Sequence, residues 1–391
     1  MVRMILQYIK DAFRKCDLIL LLLMLVTTVF GCFAIASATN ASAIGPTRYM
    51  IMQIVAATAG TFAFAIVSSI DANFFSEHRL KLVVFNTLLL LMLLPFGTDN
   101  GSGNRSWLNF PFLPFDIQPA EICKITFILI MASVMASRQN NLSSPVSIGH
   151  LILHLGLLFG LNVVISGDLG VSLIFAFIFL FMTIAGGVSI FWYLLAIGGL
   201  GVLAPIAWQF LADYQKNRIL VVFDPNIDPL GIGVKYHSVR AMRSLTGGGL
   251  TGQGLFQGTR TQKNLLAAQH TDFIFAAIGE ELGFVGCAFV MLLLCLIIAR
   301  CIWVGLRSPD YMRRLICFGA AGALIFQIVI NVGMNLGIMP VIGLTLPFIS
   351  YGGSSLITLY TMLGLVSGVY ARPNAPSHER YIRAPLPPLK Y

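Results

Sequence analysis

An all-α polytopic membrane protein, with about ten transmembrane helices and a large extracytoplasmic loop between the seventh and the eighth, is the architecture to expect from this chain. Three observations lead there. Apolar residues make up 57% of the sequence and charged residues 10%, against roughly 25% charged in an average soluble domain; the mean hydropathy is +0.84. Apolar runs long enough to cross a bilayer recur down the chain. Lysine and arginine gather in alternate connecting segments.

Taken in order, the runs fall near residues 18–38, 50–70, 80–96, 119–137, 146–165, 169–187, 190–210, 273–299, 314–337 and 354–371. The first is followed by Ala36-Ser37-Ala38, a signal-peptidase-like triplet. Its apolar core exceeds the roughly 7–15 residues of a signal peptide, so a retained span is expected. The third ends at Pro95. The fourth begins with Pro119, suited to the first helical position, and carries Glu121 and Lys124 on one face in its first turns. Ser166-Gly167-Asp168-Leu169-Gly170 makes a tight turn in which Asp168 is expected to cap the following helix. From Arg372 onward five prolines exclude a packed helix, so residues 1–371 form one integral membrane domain and 372–391 a disordered cytoplasmic tail.

Orientation follows from the basic residues. With the N-terminus inside, the inner segments hold fifteen lysines and arginines and the short outer loops only Arg48 and Arg105. Both termini are therefore expected in the cytoplasm and the 211–272 loop outside. The seven cysteines lack paired metal spacing and read as packing residues. A net charge of +9 fits basic inner loops and needs no nucleic acid. No internal repeat suggests inverted transporter halves.

The polar residues that carry chemistry lie at the outer ends of the runs. Arg105 and Trp107 precede Gln118, Glu121 and Lys124; Trp107 suits an interfacial anchor, and the basic groups with the helix dipole favour an anionic headgroup. The long loop carries Arg218, Arg243 and a glycine-dense stretch from Gly247 to Gly258, whose backbone N–H groups could cradle phosphate. It lacks the Gly-Lys-Ser/Thr ending of a nucleotide loop. The loop ends in His270-Thr271-Asp272, where a carboxylate meets hydrocarbon. Capping of the next helix by Thr271 or Asp272 is the plain alternative. Glu280 and Glu281 follow some two turns deeper, and a charge there needs a partner such as Lys124, Arg105 or a divalent cation. The broken stretch from Asn331 to Ser355, including Ser350, reads as a re-entrant wall of the same cavity. His150 and His154, at helical spacing without a third ligand, read as ordinary histidines.

Arg105-Ser106-Trp107, Gln118-Pro119-Ala120-Glu121 with Lys124, His270-Thr271-Asp272-Phe273-Ile274-Phe275 with Gly279-Glu280-Glu281, and Leu346-Pro347-Phe348-Ile349-Ser350-Tyr351-Gly352-Gly353-Ser354-Ser355 together resemble the SEDS family of shape, elongation, division and sporulation proteins (RodA, FtsW, SpoVE). The resemblance spans essentially the whole chain. It implies a peptidoglycan glycosyltransferase that polymerises lipid II at the outer face of the cytoplasmic membrane beside a class B penicillin-binding protein, in cell-shape maintenance, elongation or division. The family's essential loop aspartate matches Asp272, its tryptophan and arginine match Trp107 and Arg105, and its fourth-helix glutamate and lysine match Glu121 and Lys124. Departures are Ala120 for the usual serine, Val171 for the frequent threonine, and Leu266-Ala267-Ala268 where Leu-Pro-Glu is common. Pro340-Val341-Ile342-Gly343 and Ser106-Trp107-Leu108 lean toward the RodA branch, whereas Gly279 is common in the other two.

An undecaprenyl pyrophosphate leaving group is already a stable anion, so one base suffices where a glycosidase needs two carboxyl groups. Asp272 is the expected base, with inversion at the anomeric carbon. Arg105, Lys124, Arg218 or a divalent cation (Mg²⁺ or Mn²⁺) would balance the pyrophosphate. His270, Arg243, Glu281 and Ser350 complete the expected substrate contacts. A lipid II flippase would need polar groups through the midplane, and the inner halves of these runs are mainly apolar. A noncatalytic scaffold for a transpeptidase is compatible with every residue of the enzyme reading.

Overall fold

The computed structural model describes residues 16–42, 45–99, 104–110, 116–210, 213–229 and 231–372. The expected tail, apart from Arg372, lies outside them. Among the described residues eight helices are long and apolar enough to cross a membrane, and two shorter apolar helices occupy the other expected places. They are α1 (Leu18–Ala38), α2 (Pro46–Ser69), α3 (Arg79–Leu91, continued by Leu93–Phe96), α4 (Pro119–Ser137), α5 (Pro145–Ser166), α6 (Leu169–Ala185) and α7 (Ile190–Phe210), then α10 (Ile274–Arg307), α11 (Tyr311–Asn335) and α12 (Gly353–Ala371). The long loop is not featureless: it folds α8 (Asp213–Phe223) and α9 (Tyr236–Gly247).

Local chemistry sets most boundaries. Pro119 begins α4, and Asp168 caps α6 through Oδ1 on the Val171 N–H at 3.0 Å. Before α4, β1 (Gly97–Thr98) and β2 (Trp107–Leu108) form a short antiparallel ribbon, and Leu108 bridges to Ile117. α4 is the central helix, buried along most of its length. α2 and α12 are the most intimate pair. Gly364 and Gly368, four residues apart, let the α12 backbone approach Phe64 and Ser68 of α2, the small-residue spacing that replaces a hydrophobic driving force between membrane helices.

The end of the bundle away from the long loop is tied by charge. Arg300 makes two hydrogen bonds to Asp17, at 2.8 and 3.0 Å, and Arg313 pairs with Asp71 at 3.0 Å. Arg372 donates to the Ile70 carbonyl at 3.1 Å.

α10 runs longer than the expected 273–299 and is broken near its start by Gly283, at φ +65° and ψ −162°, a conformation open to glycine alone. The break frees backbone groups that must be satisfied elsewhere in a membrane. The glycine-rich loop does this. Phe284 and Val285 N–H donate to the Gly249 and Leu250 carbonyls at 2.9 and 3.2 Å. Gln253 and Gly254 N–H donate to the Glu280 and Glu281 carbonyls at 3.0 and 2.9 Å.

Candidate active site

The His270-Thr271-Asp272 segment is held by its backbone. The Tyr351 N–H donates to the His270 carbonyl at 2.9 Å, and Ser350 Oγ donates to the Thr271 carbonyl at 2.6 Å. Asn331 and Asn335 Nδ2 donate to the Asp272 carbonyl at 2.9 and 3.1 Å. Asn331 also holds the Leu344 carbonyl at 2.6 Å, and Asn335 Oδ1 accepts the Ala276 N–H at 3.1 Å. Three successive carbonyls are thus fixed by α11 and by the broken stretch before α12. The His270 ring packs against Tyr49 and Tyr351, with centroids 4.9 and 5.8 Å away, and burial lowers its pKa.

This clamping leaves the Asp272 side chain available. Among the described residues no hydrogen bond or ion pair holds its carboxylate. Burial, followed by the negative charge of Asp168, pushes its pKa from an ordinary 3.8 up to about 6. Phe273 is the helix-capping position of α10, and neither Thr271 nor Asp272 makes a side-chain cap bond there. The capping alternative is therefore corrected: the segment is positioned through carbonyls, not through its carboxylate.

Asp168 forms the neighbouring wall. Its Oδ2 accepts Gln118 Nε2 at 3.3 Å while Oδ1 caps α6. Burial raises its pKa against the opposing pull of the Val171 N–H. Behind it, Glu121 and Lys124 make a buried ion pair at 2.7 Å, and Thr358 Oγ1 donates to the other Glu121 oxygen at 3.1 Å. The α6 N-terminus reaches Asp272 through the α11–α12 connection. Gly170 lies against the Ile342 carbonyl, and Gly343 against Asp272 Oδ2, a close backbone approach that a side chain at Gly170 would block.

Other expected residues lie elsewhere. Glu281 is buried on the far side of the loop, where its carboxylate accepts Ser37 Oγ at 2.5 Å, Gln262 Nε2 at 2.9 Å and the Phe256 N–H at 3.3 Å. Glu280 accepts the Arg260 and Thr261 N–H groups at 2.7 and 3.1 Å. Both pin the loop to α10, using hydroxyl and amide donors where Lys124, Arg105 or a cation was expected. The glycines are also explained by contact: a Cβ on Gly248 or Gly252 would meet the Gly279 or Glu281 carbonyl at 1.9 or 2.1 Å. Ser350 is buried and engaged with Thr271 and Leu346. Arg105 and Arg243 are exposed, Trp107 is half-buried on β2, and Arg218 lies on α8 with its side chain outside the described part. Among the described residues no three His, Cys, Asp or Glu side chains converge to hold a metal.

Sequence reasoning passed over Asn331 and Asn335 as individual groups. Their signal was present: two amides four residues apart inside an apolar helix lie on one face and need partners. The adjacency of Asp168 and Asp272 had no such signal.

The model of the FtsW/RodA/SpoVE cell cycle protein family matches residues 16–374. The peptidoglycan glycosyltransferase MrdB of Escherichia coli K12 is 33% identical over 359 residues, covering 90% of this chain and 93% of that one. A chain from a structure of a peptidoglycan synthase complex, described as coordinating polymerization and crosslinking, superposes with a TM-score of 0.77 at 30% identity, over 92% of this chain and 99% of that one. The crystal structure of the rod shape determining protein RodA of Thermus thermophilus gives 0.68 at 26% identity, over 92% and 98%.

Proposed function

The chain belongs to the FtsW/RodA/SpoVE family of cell cycle proteins, and from that premise we infer that it is a multi-pass membrane peptidoglycan glycosyltransferase with Asp272 as its general base. The substrate is lipid II. The acceptor sugar's 4-hydroxyl oxygen attacks the anomeric carbon of the lipid-linked donor; its proton passes to the Asp272 carboxylate, and the bond to undecaprenyl pyrophosphate breaks with its electron pair on the leaving group. Attack opposite the leaving group inverts the anomeric centre.

The observation that carries this reading is an uncommitted, partly buried carboxylate on a clamped backbone, with a pKa pushed up to about 6. A base with a value near the working pH is deprotonated in sufficient fraction and still accepts a proton readily. Lys124 is already neutralised by Glu121, so the leaving charge falls to Arg105, Arg218 or a divalent cation. Mg²⁺ commonly binds through substrate phosphates with few protein ligands; here Mg²⁺ or Mn²⁺ would arrive with the pyrophosphate as its counter-ion. The basic inner segments support cytoplasmic termini and an outward-facing Asp272. The partner we infer is a class B penicillin-binding protein, in keeping with the synthase complex that this chain resembles.

The test is glycan-strand synthesis from purified lipid II by detergent-solubilised protein, with and without a class B partner, for the parent and Asp272→Asn. Polymer from the parent and none from an equally folded variant is expected. Equal product from both removes Asp272 from the mechanism. No product from either, even with the partner, overturns the enzyme reading and calls for a lipid II flipping assay.

A further inference from the structure

At the opposite end of the bundle from Asp272, α10 carries a row of guanidinium and aromatic groups. Arg300 reaches Asp17, which caps the start of α1. Arg300 therefore stands where α1 enters the bilayer, and the last turns of α10 lie on the headgroup side of it. Arg300, Trp303 and Arg307 follow one another at helical spacing along one face. The Arg300 and Arg307 guanidinium carbons lie 4.2 and 4.1 Å from the centroid of the Trp303 ring. Arg300 also lies 5.0 Å from the Tyr370 ring of α12. Trp303 and Tyr370 are both exposed, as aromatic residues at a membrane interface are.

The two cations of this row differ in their partners. Arg300 donates to both Asp17 oxygens, at 2.8 and 3.0 Å, and its charge is matched there. Arg307 has no ion pair among the described residues. The acid nearest to it in the chain, Asp310, caps α11 by accepting the Arg313 N–H at 2.9 Å, and Asp71 pairs with the Arg313 side chain. The dipole at the end of α10 favours a cation in the last turn, but it accounts neither for the stacked ring nor for the anion that the guanidinium lacks. Toward the hydrocarbon, Leu292 and Leu296 lie on the same face of α10 as Trp303 and are exposed.

An unmatched guanidinium stacked on an indole at headgroup level, beside a leucine stripe facing hydrocarbon, complements an anionic phospholipid. We propose that the inner end of α10 binds one such lipid of the inner leaflet, with its phosphate on Arg307, its glycerol region against Trp303 and an acyl chain along Leu296 and Leu292. A guanidinium presents paired N–H donors to phosphate oxygens, and basic groups beside membrane helices on the inner side attract anionic headgroups. A zwitterionic lipid brings its own ammonium group to a place that already holds two guanidinium groups. A free phosphate gains nothing from the leucines. Arg300 touches Trp303, Asp17 and Tyr370, so a lipid held on Trp303 also braces α10 against the ends of α1 and α12. The site is independent of the reaction assigned to Asp272.

The experiment is binding of dioleoylphosphatidylglycerol to the full-length protein in detergent, read by native mass spectrometry and thermal unfolding, against dioleoylphosphatidylcholine and inorganic phosphate. Phosphatidylglycerol is expected to bind more tightly than phosphatidylcholine and to raise the melting temperature, and inorganic phosphate to do neither. Arg307→Gln is expected to weaken phosphatidylglycerol about fivefold, the contribution of one basic group at an anionic surface, and to leave phosphatidylcholine unchanged. Arg307→Lys should recover part of the loss. Trp303→Leu should weaken phosphatidylglycerol as well, and Trp303→Phe less so. Arg138, at the inner end of α4, also has no ion pair among the described residues, and Arg138→Gln should leave the affinity unchanged. Equal losses in Arg138→Gln and Arg307→Gln overturn the proposal, because they would show diffuse attraction to the leaflet without a site. Unaltered phosphatidylglycerol affinity in both Arg307→Gln and Trp303→Leu overturns it too, as does an equal thermal shift from inorganic phosphate, which would make Arg307 a simple anion site. A dimer in the native spectra that Arg307→Gln dissociates would assign this face to a second copy of the chain and overturn the lipid assignment.

Discussion

Replacing Asp272 by asparagine separates a catalytic carboxylate from a structural one, because the two roles predict opposite changes in stability. In the folded protein its pKa rises from 3.8 to about 6, so folding favours the protonated form. The associated stability is fully present below the unfolded value and is lost as pH rises through about 6. Two pKa units correspond to about 3 kcal/mol as a ceiling, and solvent screening of this partly exposed group reduces that to about 1–2 kcal/mol. Asparagine keeps the shape and the backbone carbonyl that Asn331 and Asn335 hold but cannot ionise. The variant should therefore melt above the parent at pH 8 and converge with it toward pH 4, as measured by thermal unfolding in detergent. Its polymerisation of lipid II should fall by about 10²–10⁴-fold, the range for a lost general base. A variant that melts below the parent at pH 8 would make Asp272 structural, and polymerisation within about twofold of the parent would refute its role as base.

Asp168→Asn should keep the cap on α6, since asparagine caps well, and should shift the acid limb of the pH–rate profile for kcat/KM below about pH 6 by removing the charge that helps to raise Asp272. Breaking the buried pair with Glu121→Gln leaves Lys124 uncompensated and should cost about 3–5 kcal/mol; the double variant Glu121→Leu, Lys124→Met should melt closer to the parent. Gly283→Ala would place a side chain at positive φ and 2.4 Å from the Gly252 nitrogen. It should lose about 1–3 kcal/mol to backbone strain alone, with faster proteolysis of residues 248–262 as the direct readout.

Much of this molecule was legible because it depends on local sums. Hydropathy over successive windows gave the apolar helices, Pro119 and Asp168 marked two helix starts through their own backbone chemistry, and Asp272 stood out as a carboxylate where a polar loop meets an apolar run. The spacing of Glu121 and Lys124 anticipated their pair. Other features had no local signature. Glu281 has one side-chain partner in α1, 244 residues away, and another in the long loop, so nothing near it in sequence distinguishes a loop anchor from a substrate contact. The glycine run reads equally well as a phosphate cradle or as a strand of close contacts until the break at Gly283 supplies carbonyls and N–H groups for it to meet. Charge and hydropathy are properties a residue carries with it, and they identified the membrane fold and the candidate base. Which hydrogen-bonding groups are already satisfied is a property of packing, and only the assembled helices decided that Glu280 and Glu281 hold the loop while, among the described residues, the Asp272 carboxylate has no hydrogen bond or ion pair.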